Sequence, residues 1–295
     1  MLPGNHGVLV QGLTGREGAF HAIQMMAYGT KITAGVTPGK GGTSFENIPV
    51  YDTVKEAIKA HPEIVCSVVF VPARYANDAI LEAVDGGIKW VVAIPEGIPV
   101  KDTLYLVNYA RLKGSKILGP NSPGFIVPGC MKVGIMPSDA FVPGRIGLVS
   151  RSGTLTYEVA NALKKKGLGI SVAIGVGGDA IVGVSLLEAI EIMELDDRTE
   201  VIIMLGEIGG SMEEEVAIAK SAGALKKPII AYIAGIAAPQ GKRMGHAGAI
   251  LTEFGGSAQE KVKLLKSAGI NTSESPMTIP DQVMKLTLNK NKGGV

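Results

Sequence analysis

The sequence predicts an α/β protein made of two doubly wound domains. Short runs rich in β-branched residues alternate with longer amphipathic stretches along the whole chain. This rhythm is typical of βαβ units, in which parallel strands are covered by helices on both faces. Glycine accounts for 40 residues and falls mainly at the ends of apolar runs, where a parallel fold needs sharp strand-to-helix turns.

In the first half, each apolar run is short enough to be a buried strand and is followed by a helical pattern. The predicted strands are 7–11, 31–36, 67–71, 90–94 and 116–118. The predicted helices are 19–28, 54–60, 77–85 and 101–112.

The second half repeats the pattern after a proline-rich interruption. Residues 121–144 hold prolines from Pro123 to Pro143 and show little periodicity, so we interpret them as a connecting segment. We therefore expect one domain at 1–121 and a second at 122–295. The second domain has predicted strands at 146–150, 170–175, 200–205 and 229–234 and predicted helices at 155–165, 184–195 and 213–225.

Composition narrows the class of partner. A formal charge of +2 gives no broad electrostatic footprint for nucleic acid or an anionic membrane. Cys66 and Cys130 are too few for a disulfide framework or a zinc site. No targeting segment is visible at the amino terminus, and no apolar run is as long as a membrane span. We expect a cytoplasmic protein that binds neither nucleic acid nor membrane.

A glycine-rich turn after the first predicted strand suits a phosphate. Gly12, Gly15 and Gly18 follow the strand and open a helix, so backbone N–H groups and the helix dipole face any anion there. The spacing departs from the dinucleotide fingerprint, and Lys40 stands where an NAD site carries an acid. A ribose that bears a phosphate, as in NADP or CoA, fits this cation. A lysine that is merely exposed to solvent in a turn is an equally good interpretation of Lys40.

Two further polar residues follow later strands of the same predicted sheet. Glu96 comes after the strand at 90–94, and Asn121 comes after the strand at 116–118. Both would lie at the carboxyl edge, where ligands bind. Helix capping explains Glu96 as well, and turn propensity explains Asn121 as well.

The second half carries a candidate nucleophile. His246 is flanked by small residues in GKRMGHAGAI, and a histidine becomes nucleophilic when a partner fixes its tautomer. Glu207, after a neighbouring strand, is the best placed acid. Ser152, Gly153 and Thr154 precede a predicted helix and suit a phosphoryl group at its amino terminus. Taken alone, any one of these residues has an ordinary structural alternative: His246 as a loop histidine, and the others as helix caps.

Taken together, the motifs resemble the alpha-subunit family of succinyl-CoA synthetase, also called succinate–CoA ligase, over nearly the whole chain. They are QGLTGREG, AGVTPGKGGTSFENIPVYDTV, GPNSPG, VSRSGTLTYE, GEIGGSMEEE and PQGKRMGHAGAI, in the order of the family. The resemblance implies a Rossmann-like CoA-binding domain followed by a flavodoxin-like ligase domain. It implies that CoA is bound by Thr14, Gly15, Arg16, Glu17, Lys40, Ile94, Pro95 and Glu96.

The resemblance also implies a mechanism. NTP and Mg²⁺ would phosphorylate His246, Glu207 would orient it, and Tyr157 would belong to the substrate site. The phosphoryl group would pass to succinate, and the CoA thiol would displace phosphate from the acyl phosphate. The sequence has no Walker-type phosphate loop. In the family that the motifs resemble, a separate beta subunit of the ATP-grasp fold supplies the nucleotide site, which implies a heterodimer or a dimer of heterodimers.

One departure and several alternatives bear on this interpretation. The family usually has Cys where this chain has Ser122, which affects the expected position of the thioester. Malate-CoA ligase subunits and citrate-activating relatives share most of the motifs. A CoA-responsive binding protein without catalysis and an NADP-dependent oxidoreductase are the alternatives from other classes.

Overall fold

The computed structural model describes residues 2, 6–236, 245–250 and 256–292, with side chains through 287. It confirms the α/β class. The chain forms two compact units, the first comprising residues 1–136 and 181–184 and the second the remainder.

The first unit contains most of the predicted elements of the first half. Its strands are β1 (Gly7–Gln11), β2 (Ile32–Val36), β3 (Ser44–Phe45), β4 (Ile48–Tyr51), β5 (Ile64–Val69), β6 (Trp90–Ala93), β7 (Lys116–Leu118), β8 (Gly124–Val127) and β9 (Met131–Gly134). Its helices are α1 (Arg16–Ala27), α2 (Val54–Ala60), α3 (Ala73–Asp85) and α4 (Val100–Leu112).

The main sheet of the first unit has the strand order β3-β4-β2-β1-β5-β6-β7. All neighbours from β4 to β7 are parallel, and β3 alone is antiparallel, on the edge beside β4. Without β3 this is the dinucleotide-binding order 3-2-1-4-5-6. The order reverses between β1 and β5, so the predicted glycine turn after β1 opens into the ligand crevice of this fold.

The second unit holds the remaining elements. Its strands are β10 (Pro143–Ser150), β11 (Ile170–Gly175), β12 (Val201–Glu207), β13 (Ile229–Ala234) and β14 (Asn271–Ser273). Its helices are α5 (Gly153–Lys165), α6 (Leu186–Glu194), α7 (Met212–Ser221), α8 (Ala258–Ser267) and α9 (Ile279–Lys292).

Within the second unit, the strands run β14-β13-β12-β10-β11 and are parallel. If β10 to β14 are numbered 1 to 5 and the order is read from β11, it becomes 2-1-3-4-5, which is the flavodoxin order. The order reverses between β10 and β12, and their carboxyl ends form the crevice of this unit. The predicted fold of both halves is thereby confirmed.

Apolar burial explains why the central strands form. Val8, Leu9 and Val10 of β1 are fully buried, and so is Ile80 of α3, which packs in the same core cluster as Leu9. Burying such a side chain stabilises the fold by about 1.5–3 kcal/mol. Continuous apolar strands of this kind need cover on both faces, which the flanking helices provide.

The structure differs from the predicted domain boundary at residues 122–136. This proline-rich stretch forms the antiparallel hairpin β8–β9 and belongs to the first unit. Its apolar residues are buried, and Thr30 at the end of the turn after α1 donates its hydroxyl to the Lys132 carbonyl at 2.6 Å. Pro123 and Pro128 stand next to the strands, where a missing N–H costs nothing.

Several short or terminal elements escaped prediction. Strands β3, β4 and β14 are two to four residues long, so period-2 alternation has no room to show. Helices α8 and α9 were also missed. Helix α8 is marked by a capping box, in which Ser257 accepts from the Glu260 N–H and Glu260 accepts from the Ser257 N–H. No helix within the described residues is both long enough and apolar enough to cross a membrane.

His21, which is half-buried in the first unit, has a lowered pKa, and this predicts a sensitivity to acid. His21 of α1 stacks on Phe70, with ring centroids 5.4 Å apart. Burial lowers the pKa of His21, the Lys132 ammonium lowers it further, and Glu17 opposes both. The folded state therefore favours neutral His21. The stability that this provides is fully present above the unfolded pKa and is lost as the pH falls through it toward the lower folded pKa.

We expect the free energy of unfolding of the first unit to fall below pH 6.5 and to fall less steeply in His21→Gln, which cannot become charged. The difference in slope is at most about 1.4 kcal/mol per pH unit for one proton. Urea unfolding followed by fluorescence measures it, because Trp90 of β6 is the only tryptophan in the sequence. Parallel pH curves for the two proteins would show that His21 is not the sensitive group.

Candidate functional site

The carboxyl ends of three neighbouring strands carry the candidate site of the second unit. Arg151 follows β10, Gly178 follows β11, and Glu207 is the last residue of β12. Because β10 lies between β11 and β12, all three residues are at one edge of the sheet. The loop with His246 reaches the same edge.

The predicted pairing of His246 with Glu207 is present in the structure. The distance from His246 Nδ1 to Glu207 Oε2 is 2.8 Å. The Glu207 side chain is 8% exposed and that of His246 is 30% exposed. A carboxylate only accepts hydrogen bonds, so in the neutral imidazole Nδ1 carries the proton and the basic lone pair is on Nε2. This is the arrangement that a nucleophilic imidazole requires.

Gly178 holds the imidazole against Glu207. A Cβ atom at this position would lie 2.5 Å from Cγ and 2.8 Å from Nδ1 of His246. The Gly178 carbonyl accepts from the Gly248 N–H at 3.1 Å, and the Ala249 N–H donates to the His246 carbonyl at 3.1 Å. The imidazole ring therefore packs directly against the Gly178 backbone, and the loop that carries His246 is hydrogen-bonded to the same residue.

Behind Glu207 lies a group of buried charged residues. Arg151 Nη2 is 3.3 Å from Glu207 Oε1, and Arg151 Nη1 is 3.3 Å from Glu213 Oε1. Lys261 Nζ is 2.5 Å from Glu213 Oε2. Glu213 also accepts the backbone N–H of Glu207 at 3.0 Å. The side chains of Arg151, Glu213 and Lys261 are at most 2% exposed.

Helix α5 starts directly after Arg151. Ser152 is its N-cap and accepts from the Leu155 N–H at 3.4 Å, while Thr154 is exposed in the first turn. Ser152, Gly153 and Thr154, which were predicted to bind phosphate, thus form the amino-terminal turn of α5. This turn directly follows Arg151, which contacts Glu207. The phosphate role of the turn stays a prediction.

Tyr157, predicted for the substrate site, lies in the second turn of α5. It is half-buried and meets Phe141 edge to face, with ring centroids 6.4 Å apart. Burial raises the pKa of Tyr157 to about 12. Its hydroxyl is therefore protonated near neutral pH and can donate a hydrogen bond.

The crevice of the first unit is a cavity of about 770 Å³. Thr14 and Gly15, predicted to bind CoA, line it together with residues that follow β2 and β5, among them Thr37, Phe70 and Val71. Gly15 is the N-cap of α1 and supplies no side-chain cap. The Thr14 N–H donates to the Thr37 hydroxyl at 3.3 Å. The cavity lies where ligands bind in this fold. The N–H groups of Gly12 and Gly15 already donate to the carbonyls of Val36 and Gly12, so backbone donors for a phosphate would be those of the first turn of α1.

Other predicted CoA residues lie outside this lining. Arg16 and Glu17 begin α1 and are exposed. Lys40 is exposed in the turn between β2 and β3, two residues beyond Pro38, which does line the cavity. The next residue, Gly41, donates its N–H to Asp52 at 2.8 Å. That contact holds the backbone of the turn and leaves the Lys40 side chain exposed.

The loops after β6 and β7 bring together the last predicted group. The Asn121 N–H donates to the Pro95 carbonyl at 2.9 Å, which places Ile94, Pro95 and Glu96 beside Asn121. Asn121 has a φ of 54°, a conformation that Asn tolerates in turns. Glu96 does not cap α4, whose N-cap is Pro99. Ser122 is buried and accepts from the Gly124 N–H at 2.9 Å.

Three residues of the second unit had gone unnoticed in the sequence: Gly178, Glu213 and Lys261. Glu213 could have been suspected, because it is an acid in a motif that also holds Glu207. Lys261 offered no signal, since an amphipathic helix usually exposes its lysines. No group of three His, Cys, Asp or Glu side chains in the described part of the chain could hold a metal ion.

Comparison with known proteins shows which families the two parts of the chain match. Residues 4–97 match the CoA binding domain family and residues 149–271 match the CoA-ligase family. The succinate–CoA ligase [ADP-forming] subunit alpha of Aquifex aeolicus is 53% identical over 95% of this chain and 92% of its own length.

The chain belongs to the succinate–CoA ligase alpha-subunit family. This confirms the resemblance stated on the sequence motifs. The chain is also similar to the malate–CoA ligase subunit alpha of Methylorubrum extorquens, with 47% identity over 83% of each chain. The ATP citrate lyase of Methanothrix soehngenii, solved with citrate and coenzyme A, shares the fold at a TM-score of 0.85 and 26% identity. The match covers 96% of this chain and 51% of the lyase.

Gly178→Ala tests the support of the imidazole. Gly178 has no positive φ, and the three atoms nearest to an added Cβ all belong to the His246 ring. We expect the added Cβ to displace His246 and to weaken its hydrogen bond to Glu207, which ¹⁵N NMR of the histidines detects as a loss of the Nδ1–H tautomer. An unchanged His246 spectrum would show that the ring has room to spare.

Proposed function

We propose that this chain is the alpha subunit of a succinate–CoA ligase that activates the acid through a phosphohistidine at His246. The observation that carries the proposal is the contact of 2.8 Å between His246 Nδ1 and Glu207 Oε2 at the crevice of a CoA-ligase domain. It leaves Nε2 as the nucleophile.

The chemistry explains why a phosphoryl relay is needed. A CoA thiol cannot readily displace an oxygen from a carboxylate, so the acid must first become an acyl phosphate. In the first step Nε2 of His246 attacks the γ-phosphorus of the nucleotide, forming an N–P bond as the bond to the nucleoside diphosphate breaks. The acid carboxylate then takes the phosphoryl group. Finally, the CoA sulfur attacks the acyl carbon and releases phosphate.

Glu207 has two functions in this scheme. It keeps the proton on Nδ1, and its charge stabilises the imidazolium-like ring once Nε2 is bonded to phosphorus. The amino-terminal turn of α5 and the Tyr157 hydroxyl provide the donors that the oxygens of the phosphoryl group and the acid need. Ser152, Gly153 and Thr154 would bind the phosphoryl group, as at other helix amino termini.

CoA would bind in the first unit. The cavity after β1 and β5 is supported as its site by the match to the CoA binding domain and by the uncapped start of α1. Arg16 and Lys40 would contact the phosphates from outside the cavity lining. Ile94, Pro95, Glu96 and Asn121 share the same sheet edge and would contact the rest of the coenzyme.

The nucleotide would come with a partner. The relatives are named as alpha subunits, which implies a second subunit. The chain has no Walker-type loop, so we propose that an ATP-grasp beta subunit binds ATP or GTP with Mg²⁺. Isolated, this chain would form no acyl-CoA. Succinate is preferred over malate because the succinate–CoA ligase relative from Aquifex aeolicus is more similar and matches more of the chain.

His246→Asn tests the proposal. Asn keeps a hydrogen-bonding group but cannot accept a phosphoryl group, so labelling and turnover should be abolished. The chain is incubated with its beta subunit, Mg²⁺ and labelled NTP, and the label is tested for acid lability and base stability. Succinate with CoA, or the nucleoside diphosphate, should discharge it from the wild-type chain.

CoA affinity is the control, because the coenzyme would bind in the other unit. It should stay within a factor of two in His246→Asn. Acyl-CoA formation by the Asn variant at a comparable rate, or a label on another residue, would refute the phosphohistidine mechanism.

Lys40→Glu tests the coenzyme site. If Lys40 binds a CoA phosphate, the reversal of charge should cost roughly 1.5–3 kcal/mol of binding, the scale of a hydrogen bond to a charged group. Calorimetry with CoA measures this. Lys31→Glu is the matched control, because Lys31 is also exposed but precedes β2 at the opposite end of the strand. Equal effects of the two variants would indicate only net charge.

A further inference from the structure

The acid that orients His246 is connected to a fully buried lysine on another helix. Lys261 lies in the first turns of α8, and its side chain is 0% exposed. It donates to the Gly209 carbonyl at 2.8 Å, and Arg151 donates to the same carbonyl at 3.0 Å. Two cations therefore hold the turn that follows Glu207.

The position of this lysine is costly. A buried ammonium loses its hydration, and the amino-terminal end of a helix disfavours a cation. The capping box of Ser257 and Glu260 fixes the start of α8 and thereby the backbone position of Lys261. A costly buried charge of this kind calls for a purpose beyond packing.

The contacts run in a chain of alternating charge. His246 meets Glu207, Glu207 meets Arg151, Arg151 meets Glu213, and Glu213 meets Lys261. Lys261 also lies 3.5 Å from Glu214 Oε2. Since Glu213 is in contact with both cations, Lys261 decides how strongly Glu213 attracts Arg151. Glu207 competes with Glu213 for that arginine.

We propose that Lys261 is a positioning residue for the His246–Glu207 pair. By neutralising Glu213, it leaves Arg151 bridging Glu213 and Glu207, and it keeps the Glu213 carboxylate on the Glu207 N–H. Without Lys261, Arg151 turns toward Glu213 and Glu207 loses the contact that sets its orientation. The proposal rests on the proposed function, because the orientation matters through phosphoryl transfer to His246.

Geometry supports this direction. The contact of Arg151 with Glu207 is an ion pair at 3.3 Å without hydrogen-bond alignment, and among the described residues Glu207 Oε1 and Arg151 Nε have no hydrogen-bond partner. The contact of Lys261 with Glu213 is shorter, at 2.5 Å. Because the Arg151–Glu207 contact is long and poorly aligned, it is sensitive to the charge on the neighbouring Glu213 carboxylate.

The test compares Lys261→Met, which removes the charge, with the double variant Glu213→Gln/Lys261→Met, which also removes the competing acid. The complex with the beta subunit is labelled with NTP and Mg²⁺, and the initial rate is divided by the amount of folded protein. We expect Lys261→Met to be at least tenfold slower and the double variant to recover most of the rate. Leu265→Ala, a buried apolar change one turn further along α8, should lower stability while keeping the rate within twofold.

A spectroscopic measurement separates positioning from packing. In ¹⁵N NMR of the histidines, Lys261→Met should lose Nδ1–H tautomer at His246, and the double variant and Lys261→Arg should regain it. If Lys261→Met does not fold, Lys261→Gln replaces it. An unchanged tautomer and rate in the charge-removing variant, a double variant as slow as the single one, or an equal loss in Leu265→Ala would overturn the proposal. A wild-type chain that takes no label refutes the proposed function instead.

Discussion

The candidate site of the second unit depends on one hydrogen bond, between Nδ1 of His246 and the buried carboxylate of Glu207. An imidazole in solution exchanges between tautomers, and only one of them offers Nε2. A carboxylate on Nδ1 selects that tautomer, but it must itself be held, since a rotating carboxylate fixes nothing. Arg151 and the residues behind it hold the acid, and Gly178 holds the ring.

The sheet explains how residues so distant in sequence meet. Parallel strands end at a common edge, and in the order 2-1-3-4-5 the first and third strands are neighbours with their following loops diverging. Arg151 and Glu207 follow or end those two strands. No loop has to be long or unusual to bring the cation and the acid together. The fold supplies the proximity, and the side chains supply the chemistry.

How far the sequence predicted this site depends on the range of each signal. Strand and helix patterns are local, so β1, β11 and α2 were predicted to the residue. Glu207 and His246 were predicted as partners because each follows a strand in a glycine-rich motif. Lys261 was not, because its reason for being buried is Glu213, 48 residues away. The hairpin at 124–134 was missed for the same reason, since Thr30 and α1 stabilise it from a distance.

The two units use one architectural rule for two kinds of ligand contact. Both place their crevice where the strand order reverses, but the first is lined by the glycine turn and by side chains that are mainly apolar, such as Phe70 and Val71, whereas the second presents the His246–Glu207 pair. Backbone N–H groups suit a phosphate that is bound and released unchanged, because they recognise charge without reacting. A covalent relay needs a side chain whose nucleophilicity can be set by its neighbours. The buried charged residues behind Glu207 are therefore the feature that distinguishes the crevice of the second unit from that of the first.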